Sequence, residues 1–241
     1  MSELHPATRG FAEADRYERG RPDYPAAAVD AIVSELGLRA GRAVLDLAAG
    51  TGKLTRLLIA SGANVIAVEP MREMREKIAG AVALAGTAER IPLTDASVDA
   101  VTVGQAFHWF DADAALREIR RVLTPGGGVA LIWNARDPRD PLQAALNEVF
   151  DRYQGDTPRR EQRDWKSVLA ASGLFERTRR LLYEHVQRVD EDAVVDRVLS
   201  VSFMAMLPED ERAAVERHVR ELARGATTLS YMTELYLGFR K

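Results

Sequence analysis

The sequence predicts an α/β fold: a doubly wound, mostly parallel sheet of seven strands, closed by an antiparallel C-terminal strand and carrying a small helical cap. Three observations predict it. Short apolar runs alternate with helical stretches from residue 43 to residue 133, the pattern of a parallel sheet covered on both faces. A glycine turn, Gly50-Thr51-Gly52, joins the first run to the first helix. The C-terminal stretch TTLSYMTELYLGFRK instead places apolar side chains at every second position, as a half-buried strand does.

The elements follow in order. AVLDLA (43 to 48) and NVIAVE (64 to 69) are the first two strands, and Leu54, Leu57 and Leu58 between them have helical spacing. A second helix spans Arg72 to Ala79, a short strand Ala83 to Thr87, and a fourth strand Asp99 to Gln105. Asp111 is placed to cap a helix that carries Leu116, Ile119 and Leu123 on one face. Thr124-Pro125-Gly126 ends that helix, and Val129 to Trp133 is the fifth strand. Beyond Asn134 the spacing predicts helices over Leu142 to Tyr153 and Glu161 to Ser172, then a strand over Thr178 to Val189. Helices over Glu191 to Val201 and Pro208 to Arg224 flank the apolar patch VSFMAML, and Gly225 stops the second of them. Leu229, Tyr231, Leu235, Leu237 and Phe239 mark the inward face of the last strand.

Composition narrows the function. The chain has 241 residues, 46% hydrophobic and 29% charged, enough to bury a full core. No apolar run is long enough for a bilayer and the N-terminus is too polar for a signal peptide, so a soluble cytoplasmic protein is expected. Cysteine is absent, which excludes disulfides, thiolate nucleophiles and Cys-ligated zinc. His5, His185 and His218 lack metal-ligand spacing, so no metal centre is expected. A net charge of -3 argues against broad binding to nucleic acid or to an anionic membrane, and favours a small-molecule partner.

The segment DLAAGTGKLT carries the first chemical question. A phosphate-binding loop needs G-x-x-x-x-G-K-[ST], but Leu47 stands at the first glycine position and Leu54 at the hydroxyl position. A dinucleotide turn needs G-x-G-x-x-G, and Thr55 occupies the third position. The third reading starts from Asp46 at the tip of the first strand, an expensive charge there without a partner. S-adenosylmethionine offers one, since its amino and sulfonium groups are positive and glycines let backbone approach it. Glu69, at the end of the second strand, is placed to accept from two ribose hydroxyls, a role that fits NAD equally.

VLDLAAGTGKLT, followed by VIAVEP, GTAERIPL, SVDAVTVGQAFHWFD and LTPGGGVALIWN, resembles the ordered motif set of class I S-adenosylmethionine-dependent methyltransferases. The likeness is to the small-molecule group that includes trans-aconitate and ubiquinone-type methyltransferases, and with RYERGRPDYP and the last strand it extends over nearly the whole chain. It implies a single Rossmann-like domain over 1–241, with an N-terminal helical lid (1–40), a cofactor-binding core (41–135) and C-terminal strands (136–241) bearing a helical insertion (190–224). That insertion is expected to cap the C-terminal edge of the sheet. The resemblance further implies that Asp46, Ala48, Gly50 and Gly52 line the methionine end of the cofactor, that Glu69 holds the ribose, and that Pro70 and Met71 wall the adenine. Thr87 stands where the family usually has an acid toward the adenine amino group; either Thr87 or Glu89 takes that contact, and the Ala88 backbone meets a ring nitrogen. The Gln105 carbonyl meets the cofactor amino group. Tyr17 and Arg21 close over the cofactor, Arg21 pairing with its carboxylate. His108, Trp109, Trp133 and Asn134 border the acceptor pocket.

His108 is the candidate catalytic residue, since imidazole, with an ordinary pKa of about 6.5, suits proton transfer or acceptor orientation near neutrality. Phe107 and Phe110 beside it are expected to pack the following helix. Two rival functions stay in view: methylation of RNA, disfavoured by the acidic balance and by the absence of an Asn/Asp-Pro-Pro-aromatic signature after the fourth strand, and a non-catalytic module that binds S-adenosylmethionine. The expected assembly is a monomer or homodimer, and the acceptor atom is left open.

Overall fold

The computed structural model describes residues 18–158 and 164–241. It divides into two compact units, one formed by residues 24–134, 158–183 and 233–241, the other by residues up to 23, 135–157 and 184–232. Among the described residues no helix is long and apolar enough to cross a membrane.

The first unit is built on the sheet. β1 (Ala43–Leu47), β2 (Asn64–Val68), β3 (Val82–Leu84), β4 (Val98–Gly104), β5 (Leu123–Arg136), β6 (Phe175–Arg188) and β7 (Thr228–Arg240) lie in the order β3-β2-β1-β4-β5-β7-β6. β1 to β5 pair in parallel and the C-terminal strand is antiparallel, as expected. Alternation along β1 and β4 sorts side chains into two cores. Leu45, Leu47, Val101 and Val103 enter one, covered by helices Ala112–Val122 and Trp165–Ala171. Val44 and Ala100 enter the other, under α1 (Ala26–Glu35) and α2 (Lys53–Ile59). Helices on both faces are the doubly wound arrangement.

Several bounds differ from the sequence reading, each for a local reason. The helix after β2, α3, is only Arg72–Arg75, because Lys77 and Ile78 donate three residues back, to Met74 and Arg75, and tighten the last turn before Gly80. β5 starts at Leu123 rather than Val129. Val98 pairs with Leu123 but Ala100 with Gly128, so Thr124-Pro125-Gly126-Gly127 bulges out of the strand instead of ending the helix ahead of it. That helix, α4 (Ala112–Val122), is capped by Asp111, whose carboxylate accepts from Ala114 N–H at 3.1 Å. β7 shows the expected alternation at Leu229 and Tyr231 but is covered on both faces from Thr233 onward, because it lies between β5 and β6: Tyr236 joins one core, Leu235 and Leu237 the other. Helix α6 is Trp165–Ala171, and the expected start at Glu161 lies outside the described residues.

The second unit is largely helical. α5 (Pro141–Tyr153), α7 (Glu191–Leu199), α8 (Ser202–Ala205) and α9 (Glu209–Leu222) share a core that includes Leu146, Phe150, Val194, Val198, Val215 and Val219. Asp140 caps α5 and also accepts from Ser230 N–H at 2.8 Å, while Gln143 donates to the Ser230 carbonyl at 2.9 Å. Gly20 packs against the backbone of α7, where a Cβ would stand 2.5 Å from Arg197 N and from Asp196 C. Helix backbone cannot retreat without losing its ladder. Gly20→Ala is therefore expected to destabilise the protein by about 3 kcal/mol, read as a lowered urea midpoint at unchanged m-value; an unaltered midpoint would show that this close approach is absent in solution.

Candidate active site

The register of the sheet builds the site. β1 lies between β2 and β4, with Asp46 opposite Ala67 on one side and Thr102 on the other. Residues in register on parallel strands face the same way, so Thr102 lies beside Asp46 and its Oγ1 donates to Oδ1 at 3.1 Å. From the first turns of α2, Thr55 Oγ1 donates to Oδ2 at 2.6 Å. Asp46 is 1% exposed, and burial pushes its carboxyl up to about 6 against the pull of both hydroxyls, with the Glu69 carboxylate adding to the rise. The sequence reading left Asp46 awaiting a cation. Two threonines of the chain itself meet part of that need. Neither was singled out as a site residue, although Thr55 was legible as the residue that breaks the dinucleotide fingerprint.

Glu69, at the tip of β2, is also buried. Its Oε2 accepts from Gly50 N–H and its Oε1 from Met71 N–H, both at 2.9 Å. Burial raises its pKa, opposed by those two backbone donors and by Arg75. Arg75 donates to the carbonyls of Glu69 and Pro70 at 2.8 and 3.2 Å, which fixes the bend after β2. Each Glu69 oxygen keeps a second lone pair for a further donor.

The turn between β1 and α2 is left-handed at Ala48, Gly50 and Gly52, with φ of 55°, 58° and 85°. A Cβ on Gly50 would meet nothing within 4 Å, whereas one on Gly52 would stand 3.4 Å from Ile78. Gly50 thus leaves its backbone open to a ligand, and Gly52 takes the left-handed conformation from which α2 starts. Gln105 is left-handed as well, at φ 60°, with its N–H held by the Ile132 carbonyl at 2.8 Å. The Thr87 carbonyl pairs with Arg90 N–H at 3.2 Å around a buried Ala88. Glu89 Oε1 accepts from Asp111 N–H at 3.1 Å and tethers the start of α4. Pro70 and Met71 are half-buried.

His108 sits in the 3-10 turn Phe107–Trp109, just past β4. Trp133 Nε1 donates to His108 Nδ1 at 3.4 Å. A neutral imidazole accepts at one nitrogen and carries its proton on the other, so this contact places the proton on Nε2. The Trp109 ring lies 5.0 Å from that of His108. Phe107 is fully buried and meets Phe110 and Trp165 edge-on, the packing role expected for it. Trp133 is 1% exposed, stacked on Trp165 at 5.5 Å and edge-on to Tyr236 at 5.8 Å. It therefore bears on the site from within the core, through its indole N–H. Asn134 is buried, and its Oδ1 accepts from Thr233 at 2.6 Å. Arg21 is half-buried and belongs to the helical unit, while Tyr17 lies outside the described residues. Trp165 and Tyr236 carry no motif and were invisible to sequence reasoning.

Two buried carboxylates at adjacent strand tips, an open glycine turn and an imidazole in the loop after β4 lie on one sheet. A methyltransferase-domain family model matches residues 45–131. An uncharacterized methyltransferase of Mycobacterium tuberculosis is 42% identical over 210 residues, covering 86% of this chain and 82% of that protein. The chain belongs to the methyltransferase family, the class its ordered motifs imply. Two solved structures share the fold. One, described as a methyltransferase from an antibiotic biosynthesis pathway of Anabaena variabilis, aligns at a TM-score of 0.66 with 19% identity over 90% of this chain and 98% of that one. The other, geranyl diphosphate C-methyltransferase of Streptomyces coelicolor in complex with S-adenosyl-L-homocysteine, aligns at 0.52 with 14% identity over 98% and 97%.

Proposed function

We propose that this chain binds S-adenosylmethionine at the C-terminal ends of β1, β2 and β4 and methylates a small molecule at a carboxylate, hydroxyl or acidic carbon. The observation that carries the reading is Glu69. It is held by one backbone N–H on each oxygen, has lone pairs left for a vicinal diol, and stands beside a Gly50 whose face is open. The donor set fits the cofactor: acidic side chains and backbone for its hydroxyls and cations, with no phosphate cradle. The complex of the Streptomyces coelicolor fold neighbour with S-adenosyl-L-homocysteine supports the same choice.

When bound, the cofactor supplies a methyl carbon activated by positive sulfur for in-line displacement. The chain's residues bind and orient. Glu69 accepts from the ribose hydroxyls, and Asp46 holds negative charge behind the turn for the amino and sulfonium groups. Ala48, Gly50 and Gly52 bring backbone to the methionine portion, and the Gln105 carbonyl receives its amino group. Pro70, Met71, Thr87 and Ala88 flank the adenine. Glu89, tied to Asp111, acts there by shaping the wall. His108, protonated at Nε2, donates to the acceptor oxygen.

Calorimetry tests the assignment. S-adenosylhomocysteine is expected to bind one to one and NAD not to bind. Glu69→Gln is expected to weaken that binding about tenfold, since an amide group turns a donor toward either Gly50 N–H or Met71 N–H. Binding of NAD in place of S-adenosylhomocysteine would overturn the reading.

A further inference from the structure

The helical unit holds a buried charge outside the residues assigned to the cofactor. Arg197 lies on α7, on the face that carries Val194 three residues before it, and it is 6% exposed. Among the described residues neither its Nε nor its Nη1 meets a hydrogen-bond acceptor. Its guanidinium stands over the Phe150 ring, 6.0 Å from the centroid. The Arg136 guanidinium stands over the same ring at 4.4 Å, with its Nε donating to Asn147 Oδ1 at 2.5 Å. Phe203 meets Phe150 edge-on at 6.2 Å.

A guanidinium cannot shed its proton to escape burial. At 6.0 Å the Phe150 ring is at the limit of cation–π reach and repays little of the lost hydration. Buried donors without acceptors are strongly unfavourable. An oxyanion answers both costs. The surroundings indicate its kind: the core of this unit holds Phe150, Phe203, Val194 and Val198, and the unsatisfied donors are few, which suits a singly charged carboxylate better than a phosphate with three strong acceptor oxygens.

We propose that Arg197 is the anion-recognising element of a small-molecule site in the helical unit, and that its ligand is a carboxylate with an apolar or aromatic body. The full-length protein is titrated with benzoate by calorimetry and thermal shift, with benzamide as the neutral isostere and inorganic phosphate as the competing anion. No methyl donor is added, so the outcome is independent of the cofactor assignment. Benzoate is expected to bind saturably and raise the melting temperature, benzamide and phosphate to do neither. Arg197→Met is expected to weaken benzoate binding by about tenfold to a hundredfold and, without ligand, to melt above the wild type, because an unpaired buried cation has gone. Arg197→Gln, which keeps polar donors without charge, is expected to show the same loss and stands in if the methionine variant does not fold. Absence of saturable benzoate binding, equal binding of benzamide, preference for phosphate, or retention of benzoate affinity in both variants would each overturn the proposal.

Discussion

Asp46→Asn is expected to make the protein more stable at pH 8 and worse at holding its cofactor. The Asp46 carboxyl is raised from 3.8 to about 6 in the folded state, chiefly by burial. Between these values the native state holds more protons than the unfolded chain, so stability is gained as pH falls through the window and lost as pH rises through it. Above pH 6 the ionised group costs about 3 kcal/mol relative to its neutral form, at 1.36 kcal/mol per unit. Asparagine keeps the geometry. Its oxygen accepts from Thr55, its amide donates to Thr102 Oγ1, and the Thr102 hydroxyl turns to the Leu45 carbonyl, already 3.4 Å away. Denaturation midpoints should therefore separate at pH 8 in favour of the variant and converge below about pH 4, where Asp46 is neutral in both states. Calorimetry at pH 8 should show S-adenosylhomocysteine bound about tenfold more weakly, from loss of a fixed negative charge facing the ligand's ammonium group in a low-dielectric site. A variant less stable at pH 8 would refute the burial argument, and one with unchanged affinity would remove Asp46 from the cofactor site.

Much of this was legible because the fold repeats one unit. The strand-turn-helix pattern with an acid at the strand tip located Asp46, Glu69 and the open Gly50 by order alone. What sequence does not carry is pairing across strands. Thr102 faces Asp46 because β4 lies beside β1 in register, a contact spanning 56 residues. The same holds for Trp165 and Tyr236, which reach Trp133 from α6 and β7 and have no local signature. The bulge at Thr124-Pro125-Gly126-Gly127 misled for a related reason: proline and glycine announce a break, but the pairing of the neighbouring strand decides whether it ends an element or is absorbed within one. The tie from Glu89 to Asp111 N–H is hidden in the same way, because its two ends lie on opposite sides of β4 in the chain.

His108→Gln is expected to keep most of the methyl-transfer rate that His108→Ala loses. The Trp133 indole donates to His108 Nδ1, so a neutral ring carries its proton on Nε2, where it is a donor rather than a base. A donor aligns an acceptor oxygen for in-line attack, and alignment by one hydrogen bond is worth about tenfold to a hundredfold in kcat/KM. Glutamine places an amide N–H near the position of Nε2 and cannot act as a base at neutral pH, so its rescue separates the two roles. Alanine also leaves the buried Trp133 N–H unpaired, at a cost of about 1 to 3 kcal/mol in stability, and rates must be compared well below the melting transition. Trp133→Phe completes the test: it keeps an aromatic ring against Trp165 and Tyr236 but releases Nδ1, so that either ring nitrogen can hold the proton. A fall in kcat of a few fold is expected, about the dilution of one tautomer by the other. If glutamine is as slow as alanine while Trp133→Phe is unimpaired, His108 moves a proton rather than holding one, and an acceptor that must lose a proton before attack becomes the required substrate.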